Sequence, residues 1–553
     1  KVYGSLLALV MKYRRFTFTL PLVFIVFIFY LVGNKTIPTT FFPSIPFDDF
    51  SVEVAFLPGE REAYTQAVLD EMEIAVQEVR IELREKYDQD IIKYVTNNLG
   101  VTRNLGENGS HAGHLNVSLD VEGTDVSSFA VAAMVRERIG DYPEAQKFMV
   151  GGFNRWGSPV EIALSSKNST QLKEAIRFFE DELKKLPELK DVKTNNSAGK
   201  REVLLKLKPK AYMLGFNTSD IVSQIRQGFY GQEAQRLIVG TDEARVWVRY
   251  PEKDRLNFGK LEQMRVKSLT GQEIPIVELV DYTIERGEVS IKHYDGQKEI
   301  VITADQTDPY ASTPEILASI KEEIYPKLLG AFADISIDDN RGQQRRANKS
   351  GGSMGILGLL LILMMTLIIA LNFNSVHQAL IIITILPVGF ASAIIGHGIE
   401  GHPVSILSVW GIIALLGVLV NDAVVFVDQF NRNLKNGLQV EAAVVEAGKS
   451  RFRPIILTSI TTVAGLYPLI LEKSFQAQFL VPMAISVAYG VLFGTYFILV
   501  FLPSLILAFN DFKRLIQWVW TGSKPSQIEV EPVHIYQQHL SEMLNELEPE
   551  TND

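Results

Sequence analysis

Residues Gly411 to Arg432 read GIIALLGVLVNDAVVFVDQFNR. The side chains from Gly411 to Val420 carry no polar atom, and at about 1.5 Å per residue the run to Val427 crosses most of a hydrocarbon core of about 30 Å. Asp422 interrupts it. A carboxylate at membrane depth costs roughly 2.5 to 3.5 kcal/mol on insertion scales and marks ion or proton pathways. The stretch predicts a transmembrane helix with Asp422 as a proton-relay carboxylate and Asn421 as a hydrogen-bond partner for either protonation state. The bland alternative is a polar pair that holds two helices together. Asp428, seven residues beyond Asn421, reads as an interfacial carboxylate reaching for water.

Outward from this helix, further uncharged runs lie at Phe16 to Gly33, Met354 to Leu371, Ala379 to Ile399, Ile455 to Leu471 and Phe479 to Phe509, which makes one plus five transmembrane helices. Pro482 and Pro503 mark ends or kinks of the last run. Lys12, Arg14, Arg15, Arg432, Lys435, Lys449, Arg451, Arg453, Lys513 and Arg514 all fall on one side if the crossings alternate, and that side is cytoplasmic. The stretch 34–350 is then external. The chain opens on Lys1, and its first apolar run lacks a small-residue cleavage site, so we read a retained anchor in an incomplete chain.

The remaining composition agrees with a part-membrane protein. Of 553 residues, 47% are hydrophobic and 21% charged. A net charge of -10 gives no basic footprint for nucleic acid. The absence of cysteine excludes disulfides, thiolate metal sites and cysteine nucleophiles. No Gly-rich phosphate loop or nucleophile motif is present, which disfavours ATP-driven transport and enzymatic bond cleavage.

Within 34–350 the hydrophobic period alternates between 2 and 3.6, which predicts an α+β insert. Ser51 to Phe56 reads as a strand, and Glu60 to Arg84 as a helix with Tyr64, Val68, Met72, Ala75 and Val79 on one face. Leu115 to Val121 alternates as a strand, followed by a helix from Ser127 to Ile139. The βαβ pattern restarts with Val160 to Leu164 and a helix from Ser169, and closes with Ile300 to Ala304 and Thr313 to Tyr325. Arg201 to Val289 reads as an inserted subdomain with a short helix at Ser219 to Gln227. The tail from about Ser523, acidic and proline-bearing, reads as a partly disordered cytoplasmic extension.

The second polar stretch in the membrane is Arg451 to Pro468, RFRPIILTSITTVAGLYP, with Thr458, Ser459, Thr461 and Thr462 in an apolar helix. Four hydroxyls together suit a proton or water relay, although any one of them more commonly bonds its own i−4 carbonyl. His111 and His114 form an H-x-x-H in a glycine-rich stretch and read as part of a flexible polar loop; His397 and His402 read as solvated; the methionines are dispersed and form no metal ladder. No metal site is expected. Phe153 and Trp156, in GGFNRWGSP, lie where the first βαβ unit passes to the second and are candidate substrate contacts.

GVLVNDAVVFVDQFNR, a short basic loop, and RFRPIILTSITTVAGLYPLI, within one span, a large external insert and five spans, resemble the C-terminal half of a resistance-nodulation-division (RND) efflux permease. FFPSIPFDDFSVEVAFLPGE resembles the start of that superfamily's second repeat. The resemblance covers about Phe16 to Asn510. It implies a polytopic membrane protein whose insert holds ferredoxin-like βαβ porter subdomains at 34–157 and at 158–200 with 291–350. An inserted docking subdomain would occupy 201–290, between an anchor at 1–33 and a five-helix bundle at 351–510, with the tail at 511–553. It implies a Gram-negative inner-membrane pump, homotrimeric once joined to the other half of the permease, working with a periplasmic adaptor and an outer-membrane channel. Such a pump exports amphiphilic compounds by rotation among three states, driven by the proton gradient without a cofactor. The superfamily's relay threonine falls on Thr458, beside Ser459, and its arginine at the cytoplasmic start of that helix on Arg451. Its switch loop falls near Leu99 to Gly113, which makes Asn104 and Leu105 candidate substrate contacts. Two departures stand out. Multidrug members often carry lysine where Asn421 stands, and LGVTRNLGENGSHAG lacks the phenylalanines that line drug pockets. Two other readings fit these motifs: a lipid or other transporter of the superfamily, and a membrane-tethered periplasmic sensor or binding module.

Overall fold

The computed structural model describes residues 2–121, 124, 126–140, 142–151 and 157–535. The chain begins with α1 (Val2–Lys12) and the apolar α2 (Arg14–Gly33), then leaves the helical bundle for two α+β units. The first is built from β1 (Asp49–Ala55), α3 (Glu62–Tyr87), β2 (Ile92–Val101), β3 (Asn108–Leu119), α4 (Ser128–Ile139) and β4 (Lys147–Gly151). Its sheet runs β2-β3-β1-β4, antiparallel throughout, with Val52 opposite both Leu115 and Val150.

The second unit repeats the first, element for element. It comprises β5 (Val160–Ser166), α5 (Ser169–Lys184) and β6 (Leu189–Thr194), then, after an insertion, β11 (Gln297–Gln306), a helical stretch and a short closing strand. The insertion enters on β7 (Ala198–Leu207) and holds α6 (Thr218–Phe229) and the hairpin β8 (Gln232–Val239) with β9 (Asp242–Val248). It leaves on β10 (Val280–Glu288), which pairs antiparallel with β7, so the two connections form one ribbon. The helical stretch of the second unit is α7 (Thr313–Ser319), a π turn at Ile320–Ile324 and α8 (Tyr325–Ala331), and its closing strand is β12 (Ser336–Asp338). The order β6-β11-β5-β12 matches the first sheet, with the insertion in place of the β2–β3 turn.

Local chemistry explains these elements. The Asn168 side chain accepts from Thr170 N and Gln171 N at 3.1 and 3.2 Å, satisfying two of the free donors at the start of α5. Leu172, Ile176, Phe179 and Leu183 then face the sheet and are buried. In α3 the buried stripe is Thr65, Val68, Leu69, Met72, Val76, Val79 and Leu83, so the expected face is rotated slightly and Tyr64 and Ala75 lie at its margins.

The membrane bundle follows: α9 (Gly342–Phe373), α10 (Val376–Ile383), α11 (Leu386–Glu400), α12 (Ile406–Lys435), α13 (Val440–Ile470) and α14 (Val481–Thr521). Five helices among the described residues are long and apolar enough to cross a membrane, α10 and α11 counting as one. The 20-residue α2 packs against this group, with Phe24 5.1 Å from Phe497 between ring centroids. The central element is α14, buried along most of its apolar length. Pro482 sits in its first turn, where a missing N–H costs nothing, and Pro503 lies inside it. In contrast, α9 is largely exposed from Ile356 to Ile368, where only Ile362 and Met365 pack partly buried against the core, and Ile369 is its one buried core residue. Its N-terminal end is tied to the second unit by Arg341, which bonds Glu299 and Asp338, and by Gln343, which donates to Gly157 O.

Three expectations need correction. Leu99 to Gly113 is no open loop but two long strands with a short turn at 102–107, and His111 and His114 both lie on β3, pointing to opposite faces. His397 is fully buried rather than solvated, 3.0 Å from Ser486 Oγ, because its helix turns it inward against α14. The first part of the tail is packed rather than disordered. Glu531 is 2% exposed and accepts from Asn510 Nδ2 at 2.6 Å, Asn510 also donates to Gln527 O, and Arg514 to Pro525 O. An acidic strap can fold against this helix end because α14 supplies the cation Lys513, 3.7 Å from Glu531.

Candidate functional site

The bundle site grows from α12. A capping box between Ser405 and Ser408 starts the helix, and Gly411, Leu415, Leu419, Asp422, Phe426 and Phe430 then recur on its buried face. Two glycines let α14 approach that face: a Cβ at Gly490 would stand 2.1 Å from Leu415 Cδ2, and one at Gly494 2.6 Å from Leu419 Cδ2. Asp422 lies one turn beyond Leu419 and is 8% exposed. No hydrogen bond or ion pair to its carboxylate is formed among the described residues. Asp428, by contrast, pairs with Arg432 at 2.9 Å.

The other residues of the expected relay do not gather at Asp422. Asn421 is exposed on the far side of α12, since consecutive helical residues diverge by about 100°. Thr458 is exposed too and donates to Ile455 O at 2.9 Å. Ser459 is buried, donates to Ile455 O and meets Thr495 Oγ1 at 2.7 Å. Arg451 is half-buried, and its Nε has no acceptor among the described residues. Of the expected relay, the fold therefore places only Asp422 and Ser459 in the bundle interior, the latter joined by Thr495. Thr495 escaped the sequence reading because it stands alone in an apolar run.

The second candidate site lies between the two α+β units. A cleft of about 590 Å³ has Leu105 and β4 on one wall, α5 and β6 on the other, and the ribbon of the insertion at its base. Contacts across the units hold it. Arg136 clamps Asp191 at 2.6 and 3.1 Å, Lys147 Nζ donates to Ser197 Oγ at 2.8 Å, and Lys193 Nζ donates to Asn104 O at 3.3 Å.

The expected substrate contacts divide. Leu105 lines the cleft, with its side chain buried against Ala55, Ala112 and Met149. The Asn104 amide turns inward instead, donating to Ser51 Oγ at 2.9 Å and to Glu53 at 2.5 Å. Glu53, wholly buried, also accepts from Ser51 Oγ, Asn104 N and Leu105 N at 2.6, 2.7 and 3.1 Å, and this pins the 102–107 turn. Phe153 and Trp156 lie outside the described residues. Sequence alone could not single out Glu53, an acid on the polar side of an alternating strand, which normally faces water. Two ionisable groups near the cleft are perturbed. Burial pushes the Lys193 ammonium below the ordinary lysine range despite Glu53, Asp191 and Asp305 nearby. Burial acts to raise Glu107, but hydrogen bonds from Lys147 and Ser197, with the Lys147 and His111 charges, hold it below the usual carboxylate range.

The geometry has counterparts among known proteins. The chain is 22% identical over 491 residues to the multidrug resistance protein MdtC of Proteus mirabilis, matching 86% of this chain and 45% of that protein. It is 24% identical over 362 residues to the cobalt-zinc-cadmium resistance protein CzcA of Cupriavidus metallidurans, matching 63% of this chain and 33% of that one. The crystal structure of a heavy metal efflux pump superimposes with a TM-score of 0.78 at 17% identity, covering 92% of this chain and 52% of the pump. The chain thus spans less than half the length of these curated relatives. Residues 1–510, everything but the acidic tail, match the AcrB/AcrD/AcrF family, and the chain belongs to that family of RND permeases.

Proposed function

We propose that the chain forms half of a proton-driven exporter, in which Asp422 takes up and releases protons while the two α+β units act as porter subdomains that pass small amphiphilic molecules outward. One observation carries this reading: a carboxylate buried at mid-helix in a membrane bundle, on the face that packs against the central helix, without a counter-charge among the described residues. A charge held there at a cost of roughly 2.5 to 3.5 kcal/mol is best explained by work done through its titration. Ser459 and Thr495 supply hydroxyls for a relay, and Thr458, Asn421 and Arg451 would join it once the rest of the permease covers the open helix faces. The working assembly is a homotrimer of complete permeases in a Gram-negative inner membrane. The α+β units lie in the periplasm, the inserted unit serves as docking subdomain, and an adaptor and outer-membrane channel complete the path.

The test is export of a fluorescent amphiphile from cells carrying the complete pump, wild type against Asp422→Asn, at matched membrane levels and with a protonophore control. Export abolished by the substitution, with assembly intact, is the expected result. Undiminished, protonophore-sensitive export by the variant would remove Asp422 from the coupling path.

A further inference from the structure

The cleft between the two α+β units carries an imbalance of charge. Its three lining acids already have cationic partners: Glu180 has Lys184 at 2.7 Å, Glu288 has Lys173 and Lys298 at 2.7 and 2.6 Å, and Asp191 has Arg136. Three of its cations have none among the described residues. Arg177 stands exposed on α5 with no ion pair, Arg286 Nη1 donates only to the carbonyls of Pro58 and Gly199 at 3.1 Å each, and Lys193 reaches only Asn104 O and, at 3.6 Å, Met149 Sδ.

Lys193 is the most telling of the three. An ammonium has three donors, and this one meets a carbonyl and a thioether but no carboxylate directly; the charges of Glu53, Asp191 and Asp305 act on it only from beyond hydrogen-bond reach. The acids around it are committed elsewhere. Glu53 on β1 is saturated by the 102–107 turn, Asp191 is held by Arg136, and Asp305 on β11 is buried beside Lys190 and bonded to the Gln306 amide. Lys147 on β4 adds a like charge from the opposite wall, balanced by Glu107. Burial therefore disfavours the charged form of Lys193, and an anion entering the cleft would restore it.

We propose that this cleft selects substrates bearing an acidic group, with Lys193 as the anchor for a carboxylate and Arg177 and Arg286 as flanking contacts. The proposal rests on the transport reading and narrows its substrate class. It also separates this chain from cation export, because a divalent metal entering the cleft would meet Arg177 and Arg286 without ion pairs and three lining carboxylates already paired with cations.

The test is fluorescence titration of the chain in lipid nanodiscs with dansyl-undecanoic acid, its methyl ester as the neutral control, and Zn²⁺ as a competitor. Saturable binding of the acid, about tenfold tighter than the ester and weakened about tenfold by Lys193→Gln, is the expected result, being the loss of roughly one charge-assisted contact. Arg177→Gln changes an exposed residue that the fold does not need and should weaken binding in the same direction, so a misfolded Lys193 variant leaves the question answerable. Equal binding of acid and ester, insensitivity to both substitutions, or displacement of the acid by Zn²⁺ would each overturn the proposal. Export of neutral amphiphiles by the complete pump alongside such a failure would leave the transport reading standing; selective acid binding by a chain whose pump exports nothing would support the site and remove the transport.

Discussion

The Ser459 and Thr495 hydroxyls meet at 2.7 Å, joining α13 to the central helix α14 at a depth where neither has water as an alternative. Ser459 also donates to Ile455 O, so the pair forms a short chain rather than an isolated contact. Interhelical bonds of this kind in membranes contribute about 0.6 kcal/mol on average and up to about 1.7. A double-mutant cycle with Ser459→Ala and Thr495→Ala, followed by unfolding in mixed micelles, should return a coupling energy in that range. Strict additivity would mean that the hydroxyls do not interact.

Close approach of α12 and α14 depends on Gly490. A methyl group there falls 2.1 Å from Leu415 Cδ2, deep inside contact distance. Gly490→Ala should therefore cost about 1 to 3 kcal/mol of bundle stability through overpacking. The second-site change Leu415→Ala should recover part of that loss, as read by thermal aggregation of the detergent-solubilised protein; an unaltered midpoint for Gly490→Ala would refute the packing.

Glu53 organises the 102–107 turn with acceptor atoms alone. Asn104 N and Leu105 N both donate to Oε2, so Glu53→Gln with its NH₂ group at that position leaves both amides unpaired, at a cost of about 1 to 3 kcal/mol each. Hydrogen exchange at those two amides should accelerate by more than about tenfold, while amides in the β6–β11 sheet of the second unit stay protected. Unchanged exchange would show that the turn is held by other means.

The docked tail should respond to pH. Burial pushes Glu531 above the ordinary glutamate range, against the opposing pull of Lys513, Asn510 and His377. An acid that binds its proton more tightly when docked favours docking at low pH. That stabilisation fades as pH climbs from the undocked value of about 4.3 toward the docked one. Protease cleavage between 523 and 531 should thus quicken across that window, and Glu531→Gln should flatten the profile. A wild-type profile as flat as the variant's would count against it.

Much of the fold is legible because periodicity and charge act locally. The five long apolar helices and the α5 stripe of Leu172, Ile176, Phe179 and Leu183 follow from spacing alone. Asp422 is equally legible, since an acid in an apolar run needs no partner to be conspicuous. What escapes the sequence depends on tertiary neighbours. His397 looks solvated until Ser486 is brought beside it from 89 positions away. Asn421 and Asp422 look like a pair because they are adjacent, yet adjacency on a helix separates them. The charge imbalance around Lys193 is invisible to composition, because it arises from which acids other side chains have already claimed.

The long helix α9 is anchored near its two ends and mostly exposed between them, touching the core there only through the half-buried Ile362 and Met365. Its 32 residues make a rod about 48 Å long, fixed at its N-terminal end by Arg341 and Gln343 and near its C-terminal end at Ile369. A stiff rod pivoted at one end magnifies motion at the other: a rocking of about 5° at the C-terminal pivot swings the N-terminal end through about 4 Å. That stroke is wider than a hydrogen bond is long, and it is delivered to the same unit that forms one wall of the cleft.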